Sequence, residues 1–289
     1  MNAVSGRWSC SRRKSMHLRL KNAARVWLTS LGACVVMIGT ATATEIKIGG
    51  TGNALGTMQL LGDAYSRKYP DVKVTVLRSL GSSGALLGVP QRAVDIGLSS
   101  RTLTEEERSK GLTATEYART PTVLAVAPKT KVTGITREQL ADIYTGKLAQ
   151  WPDRITIRPV LRQPGDDNTR QLRALSPAIE QALTVAEKRP GLPYAMTDQE
   201  AADKIESVPG AIGVSTLALI LSEGRQMRSL SLDGVEPTVQ NGASGRYPMV
   251  KHFFFITQLT PSPAVQQFIS FVRSPAGRDI LTQTGHWLP

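Results

Sequence analysis

The chain has 289 residues, 41% of them hydrophobic and 20% charged, with a formal charge of +12. That apolar content excludes a disordered chain, and no apolar run suits a protein that crosses a membrane several times. The length fits one large domain or two smaller ones, and the positive charge invites a nucleic-acid reading until its distribution is examined.

Residues 1–43 carry seven cations (Arg7, Arg12, Arg13, Lys14, Arg19, Lys21 and Arg25) and no Asp or Glu. A mostly apolar run from Val26 to Ile38 leads to Ala41-Thr42-Ala43, a small-x-small cleavage signal. Basic, apolar and cleavage regions in that order are the layout of a secretory signal peptide. Without the leader, Lys+Arg falls from 35 to 28 against an unchanged 23 Asp+Glu, leaving +5. Cys10 and Cys34, the two cysteines, go with it, so the mature chain can form no disulfide or cysteine metal site. The expectation is an exported periplasmic protein, with no nucleic-acid partner and a surplus charge that suits a small anion.

Glu45 to Ile48 alternates as a strand and enters Gly49-Gly50-Thr51-Gly52-Asn53. A helix follows, with Ala54, Met58, Leu61 and Tyr65 on one face. Residues 72–77 form the next strand, Gly81-Ser82-Ser83-Gly84 opens a short helix, and 94–98 is a third strand, followed by Ser99-Ser100-Arg101. Strand, helix, strand, helix, strand predicts a parallel α/β sheet. Thr104 with Glu107 and Thr136 with Gln139 are capping boxes, the second helix stopping at Gly146. Residues 121–127 read as an apolar strand and 155–161 as another, which enters Arg162 to Thr169 and a helix. Thr197 with Glu200 caps a further helix, 211–214 is a short strand, and 234–245 reads as an exposed loop. Residues 247–257 form a long strand, and Ser262-Pro263 and Ser274-Pro275 start the last two helices.

Three loops share one design, in which a strand ends, small or hydroxyl residues follow and a helix begins: 51–53, 82–84 and 166–169. Helix N-termini present free N–H groups and the positive end of the dipole, which suits an anion. Arg162, at a strand end before the third loop, supplies charge; Arg101 reads equally well as a surface arginine. Gly50-x-Gly52-x-x-x-Gly56 misses the dinucleotide spacing by one residue, and His252 and His286 have no acidic cluster beside them. A hydrolase would need a nucleophile with a base or a metal cluster, and neither is visible; no cofactor is expected.

These pieces together resemble the phosphate-type periplasmic solute-binding proteins of ABC transport. The resemblance rests on residues 80–85 followed by Val94-Asp95-Ile96-Gly97-Leu98-Ser99-Ser100-Arg101, and on 136–147 with Trp151. It also rests on 159–169, on Pro209-Gly-Ala-Ile-Gly213, and on 268–277. It implies a type II α/β fold of two lobes, 44–124 with 248–289 and 125–247, joined by crossover strands near 121–127 and 247–255. It further implies a monomeric, non-enzymatic protein that binds a small oxyanion, phosphate first, and delivers it to an inner-membrane ABC permease. The ligand-binding residues would be Thr51, Gly52, Asn53, Ser82, Ser83, Gly84, Ser100, Arg101, Arg162, Asp166, Asn168 and Thr169. The alternatives are a different small ligand, a sensor, or a periplasmic phosphoesterase.

Two departures from the family pattern bear on the ligand. Ser100 stands where many members carry a proton-accepting Asp, and Asp166-Asp167-Asn168-Thr169 stands where Ser-Gly-Thr is usual. A carboxylate about 4 Å from an anion costs about 4 kcal/mol per unit charge at an effective dielectric near 20. That is nearly three decades of affinity. Asp167 is therefore expected to turn away and cap its helix. Asp166, if it faces the cleft, could accept a proton from a protonated oxyanion.

Overall fold

The computed structural model describes residues 44–289. The expected leader, with Cys10 and Cys34, lies outside the described residues.

The chain begins with β1 (Thr44–Gly50), a 3-10 turn (Gly52–Ala54), α1 (Leu55–Lys68), β2 (Val72–Val76), α2 (Gly81–Gly88), β3 (Ile96–Ser99) and α3 (Glu105–Ser109). β1 pairs in parallel with β2 and with β3. Ala54, Met58, Leu61 and Tyr65, the expected apolar face of the first helix, are wholly buried. Helical spacing stacks them on the side that meets the sheet. Gly50 closes β1 where no side chain fits, because a Cβ there would lie 2.0 Å from the Leu98 carbonyl oxygen.

β4 (Leu112–Val126) follows. The apolar stretch read from sequence is only its second half, and the strand begins nine residues earlier. Its first half is rich in Thr and charge, which hides it from a hydrophobicity reading; what makes it a strand is antiparallel pairing along its length with a strand far away in sequence. Then come β5 (Gly134–Ile135), α4 (Arg137–Thr145), β6 (Arg158–Pro159), α5 (Asp167–Arg173), α6 (Pro177–Ala186) and α7 (Asp198–Ser207). β7 (Ala211–Thr216), α8 (Leu217–Ser222), β8 (Arg228–Ser229), β9 (Ser231–Leu232) and α9 (Val239–Ala243) follow, and β10 (Val250–Gln258), α10 (Pro263–Val272) and α11 (Pro275–Gln283) complete the chain.

One sheet of eight strands runs β2-β1-β3-β10-β4-β7-β6, with β8 also on β4. β10 lies antiparallel to both β3 and β4, so the sheet is mixed rather than parallel throughout. The expected strand at 155–161 contracts to β6, an edge strand whose Pro159 has no N–H to donate. The expected loop at 234–245 contains α9, capped by Thr238. α8 was not expected; it follows β7 with no break, and Thr216 caps it.

Two main cores form. One gathers Ile46, Ile48, Met58, Tyr65, Phe253, Phe255 and Phe268. The other gathers Leu124, Val126, Leu140, Tyr144, Trp151, Ile212 and Tyr247. β4 feeds both, through Ala118 on the first and Leu124 on the second. Its residues up to Pro121 pair with β10, and those from Thr122 onward pair with β7. One continuous strand thus belongs to two α/β lobes, and β10 runs beside it.

Each helix from α3 to α11 carries a side-chain N-cap: Thr104, Thr136, Asp166, Ser176, Thr197, Thr216, Thr238, Ser262 and Ser274. α1, its preceding 3-10 turn, and α2 have none. The first N–H groups of α2 are left open beside the ends of β1 and β3, whereas the Asn53 N–H in the 3-10 turn is taken by Asp198 Oδ2.

Candidate functional site

A cavity of about 340 Å³ lies between the lobes. It sits beyond the carboxyl ends of β1 and β3, the usual ligand position in such sheets. Eight of the twelve expected residues line it: Thr51, Asn53, Ser82, Ser83, Ser100 and Arg101 from one lobe, and Arg162 and Asp166 from the other. Gly52, Gly84, Asn168 and Thr169 do not. Gly52 is buried against α7, where a Cβ would come within 2.5 Å of Gln199 Oε1. Gly84 lies inside α2. Asn168 and Thr169 are buried behind the cleft, lining a void of about 10 Å³ that Arg162 also borders.

On the first lobe, α2 opens onto the cavity without a cap, through Gly81, Ser82 and Ser83. The Ser100 N–H donates to Ser82 Oγ at 3.0 Å, and the two hydroxyls lie 3.1 Å apart. This ties the start of α2 to the end of β3 and holds both hydroxyls at the cavity wall. Arg101 reaches away to a bidentate pair with Glu107, at 2.7 and 2.8 Å. The Arg101 hydrogen bonds hold the Glu107 carboxyl down at about 2. The charge of Arg101 is therefore matched within its own lobe.

On the second lobe, Arg162 is only 9% exposed. Its Nη2 donates to Asp166 Oδ2 at 2.7 Å and lies 3.2 Å from Asp198 Oδ1. Asp166, not Asp167, caps α5: its other oxygen accepts the Asn168 N–H at 3.0 Å. Both Asp166 oxygens are thus engaged. Asp167 is the first helical residue, one position too late for an N-cap, and its side chain turns to other partners. It accepts from Lys251 Nζ at 2.6 Å, Gln171 at 2.8 Å and Arg170 at 3.2 Å. Burial pushes the Asp167 carboxyl up, but Lys251 and the other donors outweigh it and hold it below the usual range.

Two residues of this site were missed from sequence. Lys251, on β10, is 1% exposed and lines the cavity. Its signal is a lone cation inside the apolar run Val250 to Ile256, since lysine is almost never fully buried unless paired. Asp198, 8% exposed, reads in the sequence as an ordinary first-turn acid after the Thr197 cap. In the structure it accepts the Asn53 N–H at 3.1 Å and Asn168 Nδ2 at 3.3 Å, joining the two lobes. Burial holds its carboxyl above the usual range, against the pull of Arg162 and with the help of Asp166. Gln199 Nε2 donates to the Gly52 carbonyl at 2.9 Å, and Thr216 Oγ1 to Asn53 Oδ1 at 3.0 Å. The Thr51–Asn53 loop is thus gripped by the second lobe at the back of the cleft.

Every cation lining the cavity has a carboxylate partner, yet Arg162 keeps capacity in reserve. Its Nε and Nη1 are buried and have no partner. A desolvated guanidinium with spare donors, open helix N–H groups and hydroxyls can bind an anion by charge-assisted hydrogen bonds. Among the described residues, no imidazole lines the cleft: His252 pairs with Glu116 at 2.7 Å, and His286 is buried beside Thr284. Among the described residues, no group of three or more His, Cys, Asp or Glu is placed to hold a metal ion. Among them, too, no helix is long and apolar enough to cross a membrane.

Comparison with known proteins adds the family. Residues 36–276 match the family described as the PBP superfamily domain. The chain is 26% identical over 248 residues to the phosphate-binding protein PstS of Borreliella burgdorferi, covering 83% of this chain and 88% of the relative. It is 25% identical to the PstS of Bacillus subtilis, covering 78% and 74%. Among solved structures, it superposes with TM-score 0.72 on a Clostridium perfringens ABC transporter substrate-binding protein assigned to phosphate and holding phosphate. That pair is 23% identical and covers 85% of this chain and all of the other. An ABC-type phosphate transport receptor from Vibrio cholerae gives 0.60 at 21% identity, covering 84% of this chain and all of the other. The two-lobed fold and the resemblance read from the sequence are borne out, and the chain belongs to the PBP superfamily, the periplasmic binding proteins.

Proposed function

We propose that this protein captures a small oxyanion between its lobes, phosphate first, and delivers it to an ABC permease in the inner membrane. It acts as an exported, monomeric binding protein and makes or breaks no bond. Its lobes are residues 44–124 with 248–289, and 125–247, and the leader is removed on export. One observation carries the reading: Arg162, nine-tenths buried and with Nε and Nη1 unpartnered, lines the same cavity as the uncapped start of α2. The binding residues are Thr51, Asn53, Ser82, Ser83, Ser100 and Arg162, with Lys251 and Asp198 setting the charge around them. The names of the relatives support phosphate as the first ligand to test.

Calorimetry of the mature chain against phosphate, sulfate, molybdate and carboxylates is the test. One-to-one binding of an oxyanion that disappears in Arg162→Ala is the expected result. Saturation by none of the anions, or binding untouched by Arg162→Ala, would refute the assignment.

A further inference from the structure

We propose that the oxyanion this cleft accepts carries an organic substituent, so that a phosphate monoester binds better than inorganic phosphate. The inference rests on the oxyanion reading and concerns what else the ligand brings.

Space is the first observation. A cavity of about 340 Å³ leaves room beside an oxyanion of five heavy atoms. A cleft of this size falls in the range that accommodates small organic molecules.

The lining is the second. Most of the cavity wall is polar, but Leu80 on the first lobe and Met196 on the second both line it. Leu80 is 43% exposed and Met196 56% exposed, and neither belongs to a core cluster. Single exposed apolar residues are ordinary. Two on opposite lobes, lining one anion cleft, form an apolar rim that a bare oxyanion cannot use. Met196 is held there by a contact of 3.7 Å from Gln163 Nε2 to its sulfur.

Charge is the third. Lys251 and Arg170 share Asp167, Arg101 is matched by Glu107, and Arg162 by both Asp166 and Asp198. Carboxylates this close weaken the hold on a bare dianion. A substituent adds apolar burial between the lobes, which those carboxylates do not oppose. The head group takes the spare Arg162 donors and the start of α2, and the substituent lies between Leu80 and Met196.

Calorimetry with inorganic phosphate, ethyl phosphate and phenyl phosphate decides the matter. Phenyl phosphate should bind at least about tenfold tighter than inorganic phosphate, the gain of burying one ring. The Leu80→Ala/Met196→Ala variant should lose most of that advantage while keeping its affinity for inorganic phosphate; both side chains are half-exposed, and an unchanged thermal midpoint confirms the fold. Inorganic phosphate binding as tightly as every monoester would overturn the inference and leave the oxyanion reading standing. A monoester preference that survives the double variant would overturn the assignment to this rim. No binding of any of the three would take down the inference together with phosphate as the ligand, and the wider anion panel would then judge the oxyanion reading by itself.

Discussion

Arg162 and Lys251 are the two buried cations of the cleft, and each is held by carboxylates of the second lobe. Arg162→Ala removes the spare donors and leaves Asp166 and Asp198 without their cation. Anion affinity should fall by at least about a hundredfold, since a charge-assisted bond to a dry anion is among the stronger contacts. Arg101→Ala should change affinity by no more than about threefold, because Arg101 is already committed to Glu107. Titration of both variants by calorimetry checks the contrast. Lys251→Met leaves Asp167 buried without its closest partner, and breaking a buried pair costs about 3–5 kcal/mol. Adding Asp167→Asn should recover much of that loss in urea unfolding. Recovery of none would mean that the pair is not what Lys251 contributes.

His286 titrates separately from the cleft. Burial pulls its imidazole down to about 4, although hydrogen bonds to Leu281 and Thr284 oppose the shift. A histidine whose folded value is depressed below its unfolded 6.5 makes the unfolded state bind more protons between the two values. Stability therefore rises with pH from about 4 to 6.5 and falls as the solution is acidified through that window. The full effect is up to roughly 3 kcal/mol, at 1.36 kcal/mol per unit. Thermal midpoints from pH 7 to 4 should show the slope, and His286→Gln should flatten it.

Among the elements, the helix starts divide by purpose. α4 begins with a reciprocal box, Thr136 accepting the Gln139 N–H and Gln139 accepting the Thr136 N–H. Thr136→Ala should cost about 1 kcal/mol and leave ligand binding alone, as unfolding and titration of one sample would show. α2 makes the opposite choice. Its open N–H groups cost the helix a cap and leave donors at the cleft, which is where an anion can satisfy them. The capping boxes were legible because their residues are adjacent in sequence. The open start of α2 was legible for the same reason, from Gly81-Ser82-Ser83.

For the whole molecule, β4 is shared by the two lobes and β10 runs beside its first half. Hinge closure around a ligand is the usual switch where two lobes flank a cleft. Scattering with saturating ligand should give a smaller radius of gyration than without it; an unchanged radius would count against closure. N-terminal sequencing of the exported chain should begin near Thr44, whereas a start at a lipid-bearing Cys34 would overturn the leader assignment.

The sequence by itself determined much of the local grammar: the face of the first helix, the caps of α3, α4, α7, α10 and α11, and the three strand-to-helix loops that carry most of the candidate site. It determined these because each depends on residues within a few positions of one another. It also carried Arg162, through its place at a strand end before such a loop. Only the tertiary structure decided who partners whom. The first half of β4 is a strand because β10 lies beside it, 130 or more residues away in sequence. Asp198 reaches the Asn53 N–H across 145 positions, and Lys251 meets Asp167 across 84. Whether a carboxylate repels a ligand, caps a helix or holds an arginine depends on a few ångströms of placement. Spacing along the chain does not encode those distances, because they are set when two lobes close over the ends of a shared sheet.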